Sequence, residues 1–242
     1  MKRITLFAGH YGSGKTNIAL NYARWLKKNI SAIDHSIPKV SIADLDIVNP
    51  YFRTKDSKDA LAADGIELVV SDFANSNVDF PALPKEIYSL VAPESDSANH
   101  EPRATNHDFY VVIDVGGDDR GALALGRYVD DIRASNDYEM LGVINFSRPL
   151  TRTPEDAVEV LREIEYACKL PFTGLVNNTN LGQESTAENV LESMTLAKRT
   201  AELMNIPLRF TCAPRSLESA LRGKIEELFV LDIQKLYYQL EK

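Results

Sequence analysis

The sequence predicts an α/β domain built on a mainly parallel sheet with helices on both faces, a Rossmann-like three-layer sandwich. Two observations lead there. Short apolar runs alternate with longer segments of helical periodicity along most of the chain. One run, Tyr110 to Ile113, is apolar at every position, as a strand covered on both faces requires.

Taken in order, Ile4 to Ala8 reads as the first strand. Lys15 to Lys28 carries Ile18, Ala19, Tyr22, Ala23 and Leu26 at helical spacing. Asn29 to Lys39 looks irregular. Val40 to Ala43 and Ile66 to Val70 are the next strands, and Tyr110 to Ile113 the fourth. Leu141 to Phe146, Phe172 to Val176 and Leu208 to Thr211 repeat the theme. Helical patterns fall near Ala122 to Ala134, Pro154 to Cys168 and Thr186 to Met204, and a last one from Leu217 to about Leu240. Residues 92–107 (APESDSANHEPRATNH) are almost free of apolar side chains and read as a flexible surface loop.

The 242 residues fit one domain, 1–242, better than two. A composition of 44% hydrophobic and 26% charged residues is that of an ordinary globular chain with a sizeable core. The formal net charge of -8 disfavours nucleic acid and anionic lipid as partners. Two distant cysteines, Cys168 and Cys212, give no disulfide framework, zinc site or redox pair. Neither a secretory apolar region nor a membrane-length run is visible, so a cytoplasmic location is expected.

The strongest local signal is Gly9-His10-Tyr11-Gly12-Ser13-Gly14-Lys15-Thr16, a full match to GxxxxGK[ST] between a buried strand and a helix start. Glycines let the backbone curl until successive N–H groups point at phosphate oxygens, and the helix adds its unpaired N–H groups. Lys15 is expected to bridge the β- and γ-phosphates and the Thr16 hydroxyl to ligate Mg²⁺, with Asn17 completing the binding turn. This makes the chain a P-loop nucleotide-binding domain for ATP or ADP.

Phosphoryl chemistry also needs carboxylates near the metal and the attacking water. The fourth strand ends in Asp114, with Gly116 and Gly117 behind it, and the Gly117 N–H is placed to sense a γ-phosphate. The second strand ends in Asp44-Leu45-Asp46, on the edge where parallel sheets bind ligands. Asp44 is a candidate for the metal shell and Asp46 for positioning water. The catalytic set is therefore Lys15, Asp46 and Asp114; the metal set is Thr16, Asp44 and Asp114.

With those motifs the chain resembles the MinD/ParA-type P-loop ATPases, the group that also holds the cobyrinic acid diamide synthase (CobQ/CobB) nucleotide-binding domains. Two later segments are similar to the family's: Gly174-Leu175-Val176-Asn177-Asn178, where the family places a base-contacting asparagine, and Ala213-Pro214-Arg215-Ser216-Leu217-Glu218-Ser219-Ala220, like its loop past the base. The resemblance implies that Asn177, Asn178 and Pro214 lie beside the base, that Asp46 positions water, and that Asp114 is the Walker B residue. Many members carry a signature lysine in the loop; here that position is His10, followed by Tyr11. A homodimer is compatible with the resemblance. Neither Asn145-Phe146-Ser147-Arg148 nor Asn177-Asn178-Thr179-Asn180 carries the [NT]KxD pattern of guanine recognition, which favours ATP.

Two functions stay open at this level. One is a Mg²⁺-dependent ATPase, slow in turnover, working as a nucleotide switch read by a protein partner. The other is an ATP-dependent kinase or amide-forming ligase of the dethiobiotin or cobyrinate synthase type. Its small-molecule substrate would sit near Asn49, Tyr51, Arg53 and Arg148. Arg120, Arg148 and Arg152 follow strands on the ligand side but read more simply as solvated cations.

Overall fold

The computed structural model describes residues 1–34, 39–45, 55–69, 85–91, 109–117 and 124–232. From the N-terminus run β1 (Ile4–Ala8), α1 (Lys15–Asp34), β2 (Lys39–Leu45), α2 (Lys55–Ala63), β3 (Ile66–Val69), α3 (Lys85–Val91) and β4 (Phe109–Val115). There follow α4 (Val129–Ser135), β5 (Tyr138–Ile144), α5 (Pro154–Cys168), β6 (Gly174–Asn177), α6 (Ala187–Met204), β7 (Leu208–Pro214), α7 (Glu218–Leu221) and β8 (Leu228–Leu231). The described strands form one eight-stranded sheet in the order β3-β2-β4-β1-β5-β6-β7-β8. Every pairing in it is parallel, so all strands end on the same edge.

Both faces are covered, as the apolar strands demand. Phe7, Ile42, Val112, Leu141 and Val176 pack with Ile18, Tyr22, Leu26 and Ile30 of α1 and Leu61 of α2. Leu6, Ala43, Ile113, Met140 and Leu175 pack against α3, α4, α5 and α6. Neighbouring residues of each strand thus serve opposite layers. On the α1 face the buried Glu139 carboxylate accepts from Thr5, Tyr22 and Arg209. Burial, then the charge of Glu139, pushes the Tyr22 phenol above its ordinary value. On the other face the buried Arg3 guanidinium donates to the carbonyls of Leu90 and Val91 at the end of α3, at 2.7 and 3.3 Å. A cation there also suits the negative end of the helix.

Several elements differ from the sequence expectation. α1 runs on to Asp34 instead of stopping near Lys28, because Ile30 extends the stripe of Ile18, Tyr22 and Leu26 into the core. The helix expected over Ala122 to Ala134 is described only as Val129–Ser135, after a turn at 126–128. α2 and α3 carry too little periodic signal to stand out from their surroundings. The long last helix is corrected: α7 spans a single turn, and β8 adds an eighth strand parallel to β7. Gly223, at φ 82°, turns the chain out of the helix, and Leu228-Phe229-Val230-Leu231 satisfies a strand as well as a helical stripe. Residues 233–240 of that expected helix lie outside the described residues, as does the expected loop at 92–107.

α5 begins as its sequence demands. Thr153 accepts from the Asp156 N–H, Asp156 accepts from the Thr153 N–H, and Pro154 occupies the first turn. No helix among the described residues is long and apolar enough to cross a membrane.

Candidate functional site

The loop 9–14 links β1 to α1 at the C-terminal edge of the sheet, between β4 and β5. Its curvature is held from within: the Ser13 N–H donates to the His10 carbonyl at 3.1 Å, and Ile18 N–H to Gly14 O at 3.2 Å. Gly14 sits at φ 88°, a left-handed conformation that any side chain would strain. Lys15 is buried, with its ammonium 3.4 Å from the His10 carbonyl. The Ser13 hydroxyl and the Asn17 amide oxygen are buried with no hydrogen-bond partner among the described residues. Buried polar atoms are seldom left so, and these two flank Gly14-Lys15-Thr16.

Asp114 closes one flank. It is fully buried at the end of β4, and Thr16 Oγ1 donates to its Oδ2 at 2.6 Å. A hydroxyl-to-carboxylate bond of that length belongs to the strong, charge-assisted class. Asp44 of β2 is in register with Asp114, which places both carboxylates on the face that carries α1. Gly117 lies so close to the loop that a Cβ there would stand 2.8 Å from the Tyr11 nitrogen and 2.9 Å from Lys15 Nζ. Only hydrogen fits. The D-x-G-G segment therefore touches both the phosphate loop and its lysine.

The other flank is built by the loops after β5 and β6. Asn178 Nδ2 donates to the Ser13 carbonyl at 2.7 Å. Arg148 Nε donates to the Gly12 carbonyl at 3.0 Å. Asn145, 1% exposed, ties the two loops together: its Oδ1 accepts from the Ser147 and Asn180 N–H groups and its Nδ2 donates to Asn180 O. From sequence Arg148 reads as a solvated cation or as part of a small-molecule pocket, and Asn145 does not stand out. Their contacts join residues far apart in the chain, so no local pattern marks them.

The remaining predicted residues fall as follows. Asn177 is fully buried, and its side chain is committed to Ser193 and Thr179 rather than to the open edge. Pro214 ends β7 on the ligand edge, and Arg215 after it forms a two-nitrogen pair with Asp232 at 2.5 and 2.8 Å. Asn21 holds the backbone of Asp232 from α1, so β8 is clasped to the helix that begins with Lys15. His10 Nδ1 lies 2.9 Å from the Tyr11 carbonyl, while the Tyr11 ring is 66% exposed at the loop tip. Asp46, Asn49, Tyr51, Arg53 and Arg120 lie outside the described residues.

No protein-family model matches the chain, and no curated protein matches it in sequence. Solved structures do. The cell division protein FtsY from Thermotoga maritima is 18% identical with a TM-score of 0.52, over 88% of this chain and 62% of that one. Chloroplast FtsY from Physcomitrella patens is 18% identical with a TM-score of 0.51, over 87% and 58%. The chain thus spans about three fifths of the length of these structures. At such identity the likeness is one of fold: a parallel eight-stranded α/β sheet of the P-loop NTPase type.

Proposed function

We propose that the chain is a Mg²⁺-dependent ATPase of MinD/ParA-like type that works as a nucleotide switch. The observation that carries this reading is the 2.6 Å bond between Thr16 and Asp114, formed beside a lysine that Gly117 approaches closely. A hydroxyl that gives its hydrogen to a carboxylate keeps its lone pairs for a cation. That donor set suits Mg²⁺, which keeps several waters and takes few protein ligands. Among the described residues no cluster of three or more His, Cys, Asp or Glu side chains could bind a metal alone, so the phosphates would supply the rest.

In this reading the loop amides and Lys15 hold the β- and γ-phosphates, and Thr16 ligates Mg²⁺ with Asp114 and Asp44 around it. The bound ion would neutralise phosphate charge during transfer. Asp46, assigned from sequence alone, orients the water whose oxygen joins the γ-phosphorus as the β–γ bridging bond breaks and ADP leaves. Gly117, in contact range of Lys15, feels whether a γ-phosphate is present. Tyr11, Leu150 and Leu181, 66%, 57% and 48% exposed, lie in the segments after β1, β5 and β6 on this edge, where a protein partner, a second copy included, would read the nucleotide state. ATP is preferred to GTP because no [NT]KxD pattern follows β5 or β6.

Phosphate release from Mg·ATP, measured alone and with a panel of metabolites, tests the proposal. Slow release that no metabolite changes is the expected result. A phosphorylated or ligated metabolite would replace the switch with the kinase or ligase reading.

A further inference from the structure

We propose that Arg148 positions the nucleoside end of the bound nucleotide, a role that rests on the nucleotide reading above and deepens it. The two flanks of the phosphate loop are chemically unlike. Lys15, Gly117, Asp114 and Asp44 gather on the β4 side, and a P-loop lysine follows the β- and γ-phosphates. The terminal phosphate therefore points to that flank. The sugar and base leave the loop on the opposite one, over the ends of β5, β6 and β7.

Arg148 stands there. Its Nε is spent on the Gly12 carbonyl at 3.0 Å, which fixes the guanidinium against the loop. Its N–H donates to Asn145 O at 3.1 Å and its carbonyl accepts from Thr151 N–H at 3.2 Å, so the backbone that carries it is braced from both sides. The buried Asn145 amide anchors that brace to the loop after β6. The two terminal nitrogens of Arg148 make no hydrogen bond or ion pair with any described residue, and the side chain is exposed. A planar cation held in this way offers donors to ribose hydroxyls and a flat face to a base. It follows β5 and holds the Gly12 carbonyl, whereas Lys15 and Gly117 meet on the β4 side of the loop. That placement separates Arg148 from a γ-phosphate clamp.

Calorimetry on the full chain with Mg·ATP, Mg·ADP and Mg·tripolyphosphate tests the assignment, comparing the native protein with Arg148→Ala and Arg148→Lys. Arg148→Ala should weaken ATP and ADP alike, by about tenfold, and leave tripolyphosphate unchanged. Arg148→Lys should show the same ordering at smaller amplitude, and serves alone if the alanine variant does not fold. Equal weakening of all three ligands would overturn the proposal, leaving Arg148 only a brace of the loop. Loss confined to ATP and tripolyphosphate would overturn it in favour of a γ-phosphate contact, and no change would overturn it outright. Failure of the native protein to bind any of the three would instead bring down the nucleotide reading, and this role with it.

Discussion

Thr16 Oγ1 donates to Asp114 Oδ2 at 2.6 Å, joining the first turn of α1 to the end of β4 across 98 residues of chain. The bond makes the loop before α1 and the end of β4 one unit. Thr16→Ala should abolish the dependence of nucleotide affinity on Mg²⁺ while ADP still binds without metal. Titrations with and without chelator measure this. An unchanged Mg²⁺ dependence would remove Thr16 from the metal site.

Gly117→Ala should cut nucleotide affinity without unfolding the chain. Its Cβ would meet the Tyr11 nitrogen and Gly9 oxygen, both backbone, at 2.8 and 3.0 Å, so the loop itself must move. An overpacked contact of this kind costs about 1–3 kcal/mol, or at least fivefold in binding. A variant that binds like the native protein would show that the D-x-G-G segment is not coupled to the loop.

Stability should carry a pH signature at the end of β8. The Arg215 guanidinium holds the Asp232 carboxyl below its ordinary value. As pH falls the unfolded chain takes up this proton first, so the pair's contribution is complete above the ordinary carboxylate range and is lost as pH drops through the lowered value. The Tm gap between the native protein and Asp232→Asn should be full at pH 7, begin to shrink as pH enters the ordinary carboxylate range, and close only below the lowered value. Both side chains are exposed and screened, so the gap is small. A gap with the same size at every pH would assign it to something other than charge.

Both thiols should be inert in the native fold. Burial pushes Cys168 up to about 12 and Cys212 well above the ordinary thiol value. An Ellman titration at pH 8 should find neither thiol at first and both after denaturation. Prompt reaction of one in the native protein would mean that its helix or strand opens readily.

Much of this was legible in the sequence where the signal is local. The phosphate loop, the apolar strand before Asp114 and the helix start at Pro154 each announce themselves within a few positions. What stayed hidden depends on contacts between distant segments. Arg148 reaches Gly12 across 136 residues, and nothing near it in sequence distinguishes it from a solvated arginine. Asn177 and Asn178 are adjacent and alike, yet strand alternation turns one into the α6 side of the core and the other to the phosphate loop. The apolar stripe near the C-terminus fits a period of 3.6 and a short strand equally. Pairing with β7 decides between them.

The nucleotide-switch proposal stands on residues 9–16 gripping a polyphosphate chain through main-chain amides, a lysine and a hydroxyl. Isothermal titration of the native protein and of Lys15→Ala with Mg·ATP tests it most directly. Saturable binding with a rise in Tm is expected for the native chain, and neither for Lys15→Ala. No heat from the native protein, or equal binding by both, would contradict it.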